Sequence, residues 1–224
     1  TVMCVSRTSV LVRLLGKVSY GQANEMQLYY QGILKERLAD KLAAINYLLL
    51  LEHHPVYTIG VRSKQYPQDE LEKLKSLGAE VAISNRGGLI TFHGPGQLVA
   101  YPIINLKLFK PSVKWYVTKL EEMVIELCNK FEVPAHRTEH TGIWVDDKKI
   151  CAIGVHISRY ITTHGIAINC DTDLSWYSHI VPCGIEKKGV TSLSVEASRR
   201  ITVDDVIPEV VSSFSNVFKC DVQK

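Results

Sequence analysis

The sequence lacks the features that mark several classes of protein. No apolar run among its 224 residues approaches the about 20 that a transmembrane helix needs, since the longest contains Asn46 and ends at Glu52. It contains no C-x-x-C pair, no cysteine cluster with zinc spacing and no H-E-x-x-H pattern. Its net charge of +3 is too small to indicate nucleic-acid binding, although it would suit an acidic protein partner. We therefore expect a protein without a membrane span, bound metal or nucleic-acid partner.

Internal repeats and low-complexity linkers are also absent, which predicts one domain over residues 1–224. The six cysteines are scattered, so we expect mostly free thiols and a reducing compartment. The first 24 residues contain Arg7, Arg13 and Lys17 but no acid, a pattern typical of the end of an organelle-targeting leader. Residues 1–8 fit a leader remnant, but 10–15 fit a first strand equally well.

Hydrophobic periodicity predicts an α+β fold, with a mixed β-sheet flanked by helices. Strands occur both in adjacent pairs and between helices, which favours a mixed sheet over a doubly wound parallel one. In helix 20–42 an apolar stripe of Met26, Tyr29, Tyr30, Ile33 and Leu34 is expected to face the core. The other predicted helices are 69–77, 112–131 and 202–218, and the predicted strands are 10–15, 47–52, 56–60, 81–84, 89–92, 98–104, 143–145, 149–158 and 165–170.

Short-range signals mark the ends of some of these elements. Ser112 is expected to cap the start of helix 112–131, and Gly78 fits the left-handed position after helix 69–77. Asp146 and Asp147 are expected to turn a hairpin between strands 143–145 and 149–158.

A glycine-rich stretch, residues 86–102, surrounds a short apolar strand. Its glycines would let a ligand lie against the main chain, or they would simply form two tight turns around a hairpin. No G-K-[ST] follows them, and G-P-G does not fit the dinucleotide fingerprint. Arg86 would either steer an anionic carrier or cap a turn. His93 would be a base or a hydrogen-bonding spacer, and a lone histidine favours the spacer.

Two further segments allow both a structural and a functional interpretation. The charged residues 146–149 are typical of a solvated hairpin turn, unless Lys149 points inward and acts on a neighbouring thiol. The small residues at 165–167 would line a narrow slot or belong to a tightly packed strand. Cys183, between Pro182 and Gly184, is predicted to lie on a turn where a substrate can reach it. Taken alone, however, a cysteine is more often a buried structural residue.

Together these motifs resemble a known enzyme family. RGG, TFHGPGQLV, TGIWV, KICAIGVHI, HGIAINC, PCGI and GVTSL occur in the order of the octanoyl-(acyl carrier protein):protein N-octanoyltransferases, across residues 10–217. The version here is similar to the animal mitochondrial form. The resemblance implies the fold of lipoate and biotin ligases and of class II aminoacyl-tRNA synthetases. Ligases of this group typically have HD.GN where this chain has HGPGQ, and they need no cysteine nucleophile.

The resemblance also implies site residues and partners. Cys183 would be the nucleophile and Lys149 its partner, in a dyad that carries octanoyl from acyl carrier protein to a lysine of a lipoyl domain. Such domains include glycine cleavage H protein and the E2 subunits of 2-oxoacid dehydrogenases. No metal, nucleotide or other cofactor is implied, and the location would be mitochondrial. The implied acyl-binding residues are Arg86, Gly87, Gly88, Leu89, Ile90, Thr91, Phe92, His93, Ala152, Ile153, Gly154, Gly165, Ile166 and Ala167, and 190–193 would form a wall near the nucleophile.

Two other functions remain open at this stage. One is an ATP-dependent ligase of the lipoate type, which activates a free acid. The other is a non-catalytic protein that binds a carrier, in which Cys183 is an inert turn thiol.

Overall fold

The computed structural model describes residues 8–63, 66–181 and 188–223. Its main feature is an eight-stranded mixed sheet in the order β10-β8-β9-β6-β2-β1-β11, with β7 paired to β8, and a second sheet has the order β4-β3-β5. The strands are β1 (Ser9–Val18), β2 (Asn46–His53), β3 (Val56–Ile59), β4 (Glu80–Ile83), β5 (Thr91–His93), β6 (Gln97–Ile103), β7 (Ile143–Val145), β8 (Lys148–Ser158), β9 (Ile161–Asn169), β10 (Gly189–Val190) and β11 (Asp221–Gln223). The predicted α+β fold with a mixed sheet is confirmed.

The described residues form five α-helices beside the sheets: α1 (Tyr20–Ala39), α2 (Gln68–Ser76), α3 (Val113–Lys130), α4 (Leu193–Glu196) and α5 (Val203–Phe218). Local sequence sets where the longer ones begin. Ser19 and Gln22 form a capping box on α1, Thr202 and Asp205 form another on α5, and Ser112 caps α3. None of the described helices is long and apolar enough to cross a membrane.

The helices cover the two faces of the large sheet. The largest apolar core packs α3 and α5 against one face, with Leu120, Val124 and Phe214 fully buried. A second core packs α1 against the other face, and a third lies under the small sheet and α2. The glycine-rich stretch contributes β5 to the small sheet, where β5 pairs antiparallel with β3.

The predicted apolar stripe of α1 is wrong in part. Tyr29 is 65% exposed, whereas Ala23, Leu34 and two glutamines, Gln27 and Gln31, are buried. A buried glutamine oxygen needs a hydrogen-bond donor. Gln31 accepts from Lys35 in the same helix, at 2.6 Å, but the partner of Gln27 comes from a distant strand. The Gln27 side chain accepts a hydrogen bond from the backbone N–H of His164, at 2.6 Å, on β9.

Candidate active site

A narrow cavity, here called the inner cavity, lies on the α1 side of the main sheet. Its floor consists of two cross-strand pairs, Ala152 with Ala167 and Gly154 with Gly165, on β8 and β9. Residues two apart on a strand face the same side, so these four small residues form one depression in the sheet. A β-carbon added to Gly165 would lie 2.2 Å from the carbonyl oxygen of Ala100, so only glycine fits there.

The loop Arg86 to Gly88 forms the roof over this floor. The Gly87 N–H donates to the carbonyl of Val155 at 3.0 Å, which ties the loop to β8. A β-carbon added to Gly154 would lie 3.0 Å from Cδ of Arg86, so roof and floor are in close contact. The glycines therefore serve both interpretations made from the sequence, because they form tight turns and also bring main chain against the cavity.

Arg86 is buried, and its guanidinium donates hydrogen bonds to main-chain carbonyls and to one hydroxyl. Its Nη2 donates to the Thr58 carbonyl (2.6 Å), the Thr58 hydroxyl (2.8 Å) and the Leu89 carbonyl (3.0 Å), and Nη1 donates to the Gly87 carbonyl at 2.8 Å. These bonds fit the loop-capping alternative and hold the roof in place. The same side chain lines the inner cavity and brings a positive charge to it.

His93 is a buried spacer in a hydrogen-bonded chain that leads to Arg86. The Gln97 amide nitrogen donates to the Phe92 carbonyl and to Asn169, so its oxygen faces Nδ1 of His93 at 2.7 Å. We therefore assign the proton to Nδ1. Nε2 then accepts from the Thr58 hydroxyl at 3.1 Å, and that oxygen accepts from Arg86.

Aromatic and histidine side chains complete the walls, and none of them was identified from the sequence. They are Tyr20, Tyr101 and His164. Burial, and then the charge of Arg86, lowers the pKa of His164 to about 4. Burial likewise lowers the pKa of His53, which is hydrogen-bonded to the Tyr101 hydroxyl, to about 4, and the pKa of His93 well below its usual range. All three are neutral at pH 7, so Arg86 is the charged side chain among the described residues that line the inner cavity, and most of the lining surface is apolar.

A wider space, here called the outer cavity, opens beside the inner one and contains Lys149. The two cavities share Gly88, Ile153 and Gly154. Including their open mouths, they enclose about 460 and 960 Å³ of space without atoms. The two cavities therefore lie next to each other at these residues.

Lys149 points inward, which was the alternative to a solvated turn. It is only 6% exposed, whereas its neighbours Asp146, Asp147 and Lys148 are exposed as the charged-turn pattern predicts. Its Nζ donates to the carbonyl of Thr141 at 3.2 Å and lies 4.8 Å from the centroid of the Trp144 ring. The ammonium thus has a fixed position in the outer cavity.

Cys183 lies outside the described residues, and so do Pro182 and Gly184. The chain re-enters the described structure at Lys188, which forms an ion pair with Asp147. Gly189 and Val190 then pair in parallel with Lys148 and Lys149, and the Thr191 N–H donates to the Lys149 carbonyl at 3.0 Å. Of the predicted wall 190–193, the first two residues therefore lie beside Lys149.

The inner cavity gathers most of the predicted acyl-binding residues, and the outer cavity adds Gly87 and Leu89. Ile90 and Phe92 line neither cavity and pack instead in the core under the small sheet. Alternation along the strand explains this difference, because Thr91 and His93 face the inner cavity and their neighbours face away. The residues that line the inner cavity and were predicted are Arg86, Gly88, Thr91, His93, Ala152, Ile153, Gly154, Gly165, Ile166 and Ala167.

Four of the other cysteines have the structural environment that was expected of them. Cys128, Cys151 and Cys170 are free thiols, and these three and Cys220 are buried. Burial raises the pKa of the Cys128 thiol to about 12 and raises that of Cys151 well above its usual range. Such thiols are protonated at neutral pH and are poor nucleophiles.

Comparison with known proteins identifies the family. Residues 27–215 match the family described as lipoyl protein ligase A/B catalytic domain. The chain is 52% identical over 218 residues to the mitochondrial octanoyl-(acyl-carrier-protein):protein N-octanoyltransferase LIPT2 of Danio rerio, covering 97% of this chain and 96% of that one. The chain belongs to the octanoyltransferase family. It is also 47% identical over 169 residues to the protein of the same name from Homo sapiens, covering 74% and 73% of the two chains.

Solved structures confirm the fold of this octanoyltransferase. A lipoate-protein ligase A bound with ATP superposes with a TM-score of 0.74 at 15% identity, covering 97% of this chain and 88% of that one. A mutant biotin protein ligase from Aquifex aeolicus in complex with biotin gives 0.52 at 15% identity, covering 93% and 70%. The expected likeness to lipoate and biotin ligases is thus confirmed. The chain is an acyltransferase, and its animal relatives support the expected mitochondrial location.

Proposed function

We propose that this enzyme transfers an octanoyl group from octanoyl-acyl carrier protein to a lysine of a lipoyl domain, through a thioester on Cys183. The acceptors would be lipoyl domains such as glycine cleavage H protein and 2-oxoacid dehydrogenase E2 subunits. The main support is that the slot with a floor of small residues and the cavity that holds Lys149 share the lining residues Gly88, Ile153 and Gly154. An acyl chain in the inner cavity would place its thioester at these shared residues.

In the first step the Cys183 thiolate attacks the carbonyl carbon of the octanoyl thioester. The bond from that carbon to the pantetheine sulfur then breaks, and the departing thiolate takes up a proton. Lys149 would stabilise the attacking thiolate, because a nearby cation lowers the pKa of a thiol from its usual value of about 8.5. The re-entry of the chain at Gly189 and Val190, beside Lys149, supports a short path from Cys183 to this ammonium.

In the second step the amine of the acceptor lysine attacks the acyl-cysteine. An amide forms, the bond between carbon and the cysteine sulfur breaks, and the sulfur recovers a proton. An ordinary lysine has a pKa of about 10.4, so the acceptor must lose a proton before it attacks. Lys149 would take part in that proton transfer once the thiolate is gone. Neither step requires a metal, a nucleotide or another cofactor.

Intact-protein mass after mixing with octanoyl-carrier protein tests the nucleophile directly. Wild-type protein should gain one octanoyl group, and Cys183→Ser should gain none. Cys4→Ser is the control and should be acylated like the wild type. An adduct that survives Cys183→Ser would show that another residue carries the acyl group.

The ATP-dependent ligase is tested with free acid. Incubation with octanoate, ATP and a lipoyl domain, without carrier protein, should leave the lipoyl domain unmodified. Modification of the lipoyl domain under those conditions would show that the protein is a ligase and not a transferase. No acylation of wild-type protein by octanoyl-carrier protein would instead favour the non-catalytic carrier-binding alternative.

A further inference from the structure

The outer cavity continues away from the inner cavity to a rim that carries an exposed arginine. Arg62 lies at this rim together with Glu139 and His140, while Lys149 lies deeper. The backbone before Arg62 is fixed, since the Val61 N–H donates to the Arg86 carbonyl at 3.0 Å. A β-carbon on Gly60 would lie 2.3 Å from the Gly88 carbonyl oxygen, so this segment runs directly against the roof loop.

The shape of the two cavities decides which part of a thioester would occupy each. With the thioester at the shared residues and the acyl chain between the small-residue floor and the roof, the thiol part of the donor must leave through the outer cavity. That cavity encloses about twice the space of the inner one and exposes polar groups of Thr141, His140 and Lys149. It therefore suits the amide-containing pantetheine arm of a carrier protein better than it suits an alkyl chain.

A phosphopantetheine arm carries a phosphodiester at the end far from its sulfur. With the sulfur near the residues that the two cavities share, this phosphodiester would lie near the exposed Arg62. Arg62 forms no ion pair with any carboxylate that the structure describes, whereas the rim carboxylate of Glu139 lies 3.7 Å from Nε2 of His140. A guanidinium matches phosphate oxygens with two parallel donors. We propose that Arg62 binds the phosphodiester of the donor's phosphopantetheine arm, an inference that rests on the proposed function.

The experiment separates the phosphate from the rest of the arm. Free 4′-phosphopantetheine and free pantetheine are measured as inhibitors of octanoyl transfer from octanoyl-carrier protein to a lipoyl domain. Full-length wild type is compared with Arg62→Gln, Arg62→Lys and a matched control, Arg159→Gln, at an exposed arginine that lines neither cavity. Because the carrier-dependent activity of the wild type is the reference, failure of the proposed function appears as no transfer at all.

We expect Arg62→Gln to raise the inhibition constant of phosphopantetheine about fivefold, in line with loss of one exposed charged pair worth about 1 kcal/mol. The constant for pantetheine should stay within about twofold, Arg62→Lys should recover part of the loss, and Arg159→Gln should resemble the wild type. Equal effects on both compounds, no effect on either, or no inhibition of the wild type by phosphopantetheine would overturn the inference. The inference would also be overturned if Arg62→Gln weakened the binding of carrier protein without its phosphopantetheine arm as much as the binding of carrier protein with the arm. Arg62 would then contact the surface of the carrier.

Discussion

The inner and outer cavities share three residues and differ in almost every physical property. The inner cavity is narrow, its small-residue floor is fixed by strand register, and two of its lining residues, His93 and Arg86, are held in a hydrogen-bonded chain that begins at Gln97. The outer cavity is wider and open, with one buried cation and one at its rim. Substitutions at the floor of the inner cavity are therefore expected to change steric fit, whereas substitutions in the outer cavity are expected to change electrostatic interactions.

Removing Lys149 should have the largest effect, because it takes the buried charge from the outer cavity alone. We expect Lys149→Ala to slow formation of the octanoyl adduct by about 10³-fold, within the range for a proton-transfer or activating group. Its far-UV circular dichroism spectrum should be unchanged, since the side chain lies in a cavity wall at the start of a strand. Lys148→Ala is the control, because that neighbour is exposed on the other face of β8. Similar rates in the two variants would contradict the role of Lys149.

The buried histidines of the inner cavity make a prediction about stability. His53 and His164 have pKa values lowered to about 4, while the unfolded chain has about 6.5. Between these values the unfolded state binds more protons, so the free energy of unfolding should fall as pH decreases from about 6.5 to about 4. Each histidine should contribute up to about 3 kcal/mol to this loss.

Urea unfolding at a series of pH values measures the effect. His53→Gln should flatten the profile, and the control His54→Gln should not, because His54 is exposed. A profile that is flat between pH 6.5 and 4 in wild-type protein would contradict the neutral, buried state of these side chains.

The floor of the inner cavity should set acyl length. Ala152→Leu adds three carbons to a wall residue, and displacement of about two or three methylenes of substrate should cost about 2 kcal/mol. We expect kcat/KM for octanoyl-carrier protein to fall about 30-fold, with a smaller loss for hexanoyl-carrier protein. The opposite change, Ala152→Gly, should move the preference towards decanoyl. Equal losses for all chain lengths would mean that the floor does not contact the acyl tail.

Local sequence determined much of the fold and several of the candidate site residues. The cap at Ser112, the left-handed Gly78 after α2 and the hairpin of β7 and β8 follow from short-range preferences, and they were predicted correctly. The predicted stripe of α1 was wrong in part because Gln27 is buried against a partner across the fold, the His164 N–H on β9. The two-residue strand β10 had too few residues for a periodic signal.

The order of the motifs along the chain also identified the family, because the resemblance to octanoyltransferases is visible in the sequence alone. The burial of Lys149, in contrast to the exposed Lys148, depends on the folded chain, because the Trp144 ring and the Thr141 carbonyl that hold Lys149 come from the neighbouring strand and loop. The tertiary structure also decided that Tyr20, Tyr101 and His164, far apart in the chain, form one wall. Burial and long-range hydrogen bonds depend on which distant segments meet, whereas capping and turn formation depend on near neighbours, so only the latter can be read from short stretches of sequence.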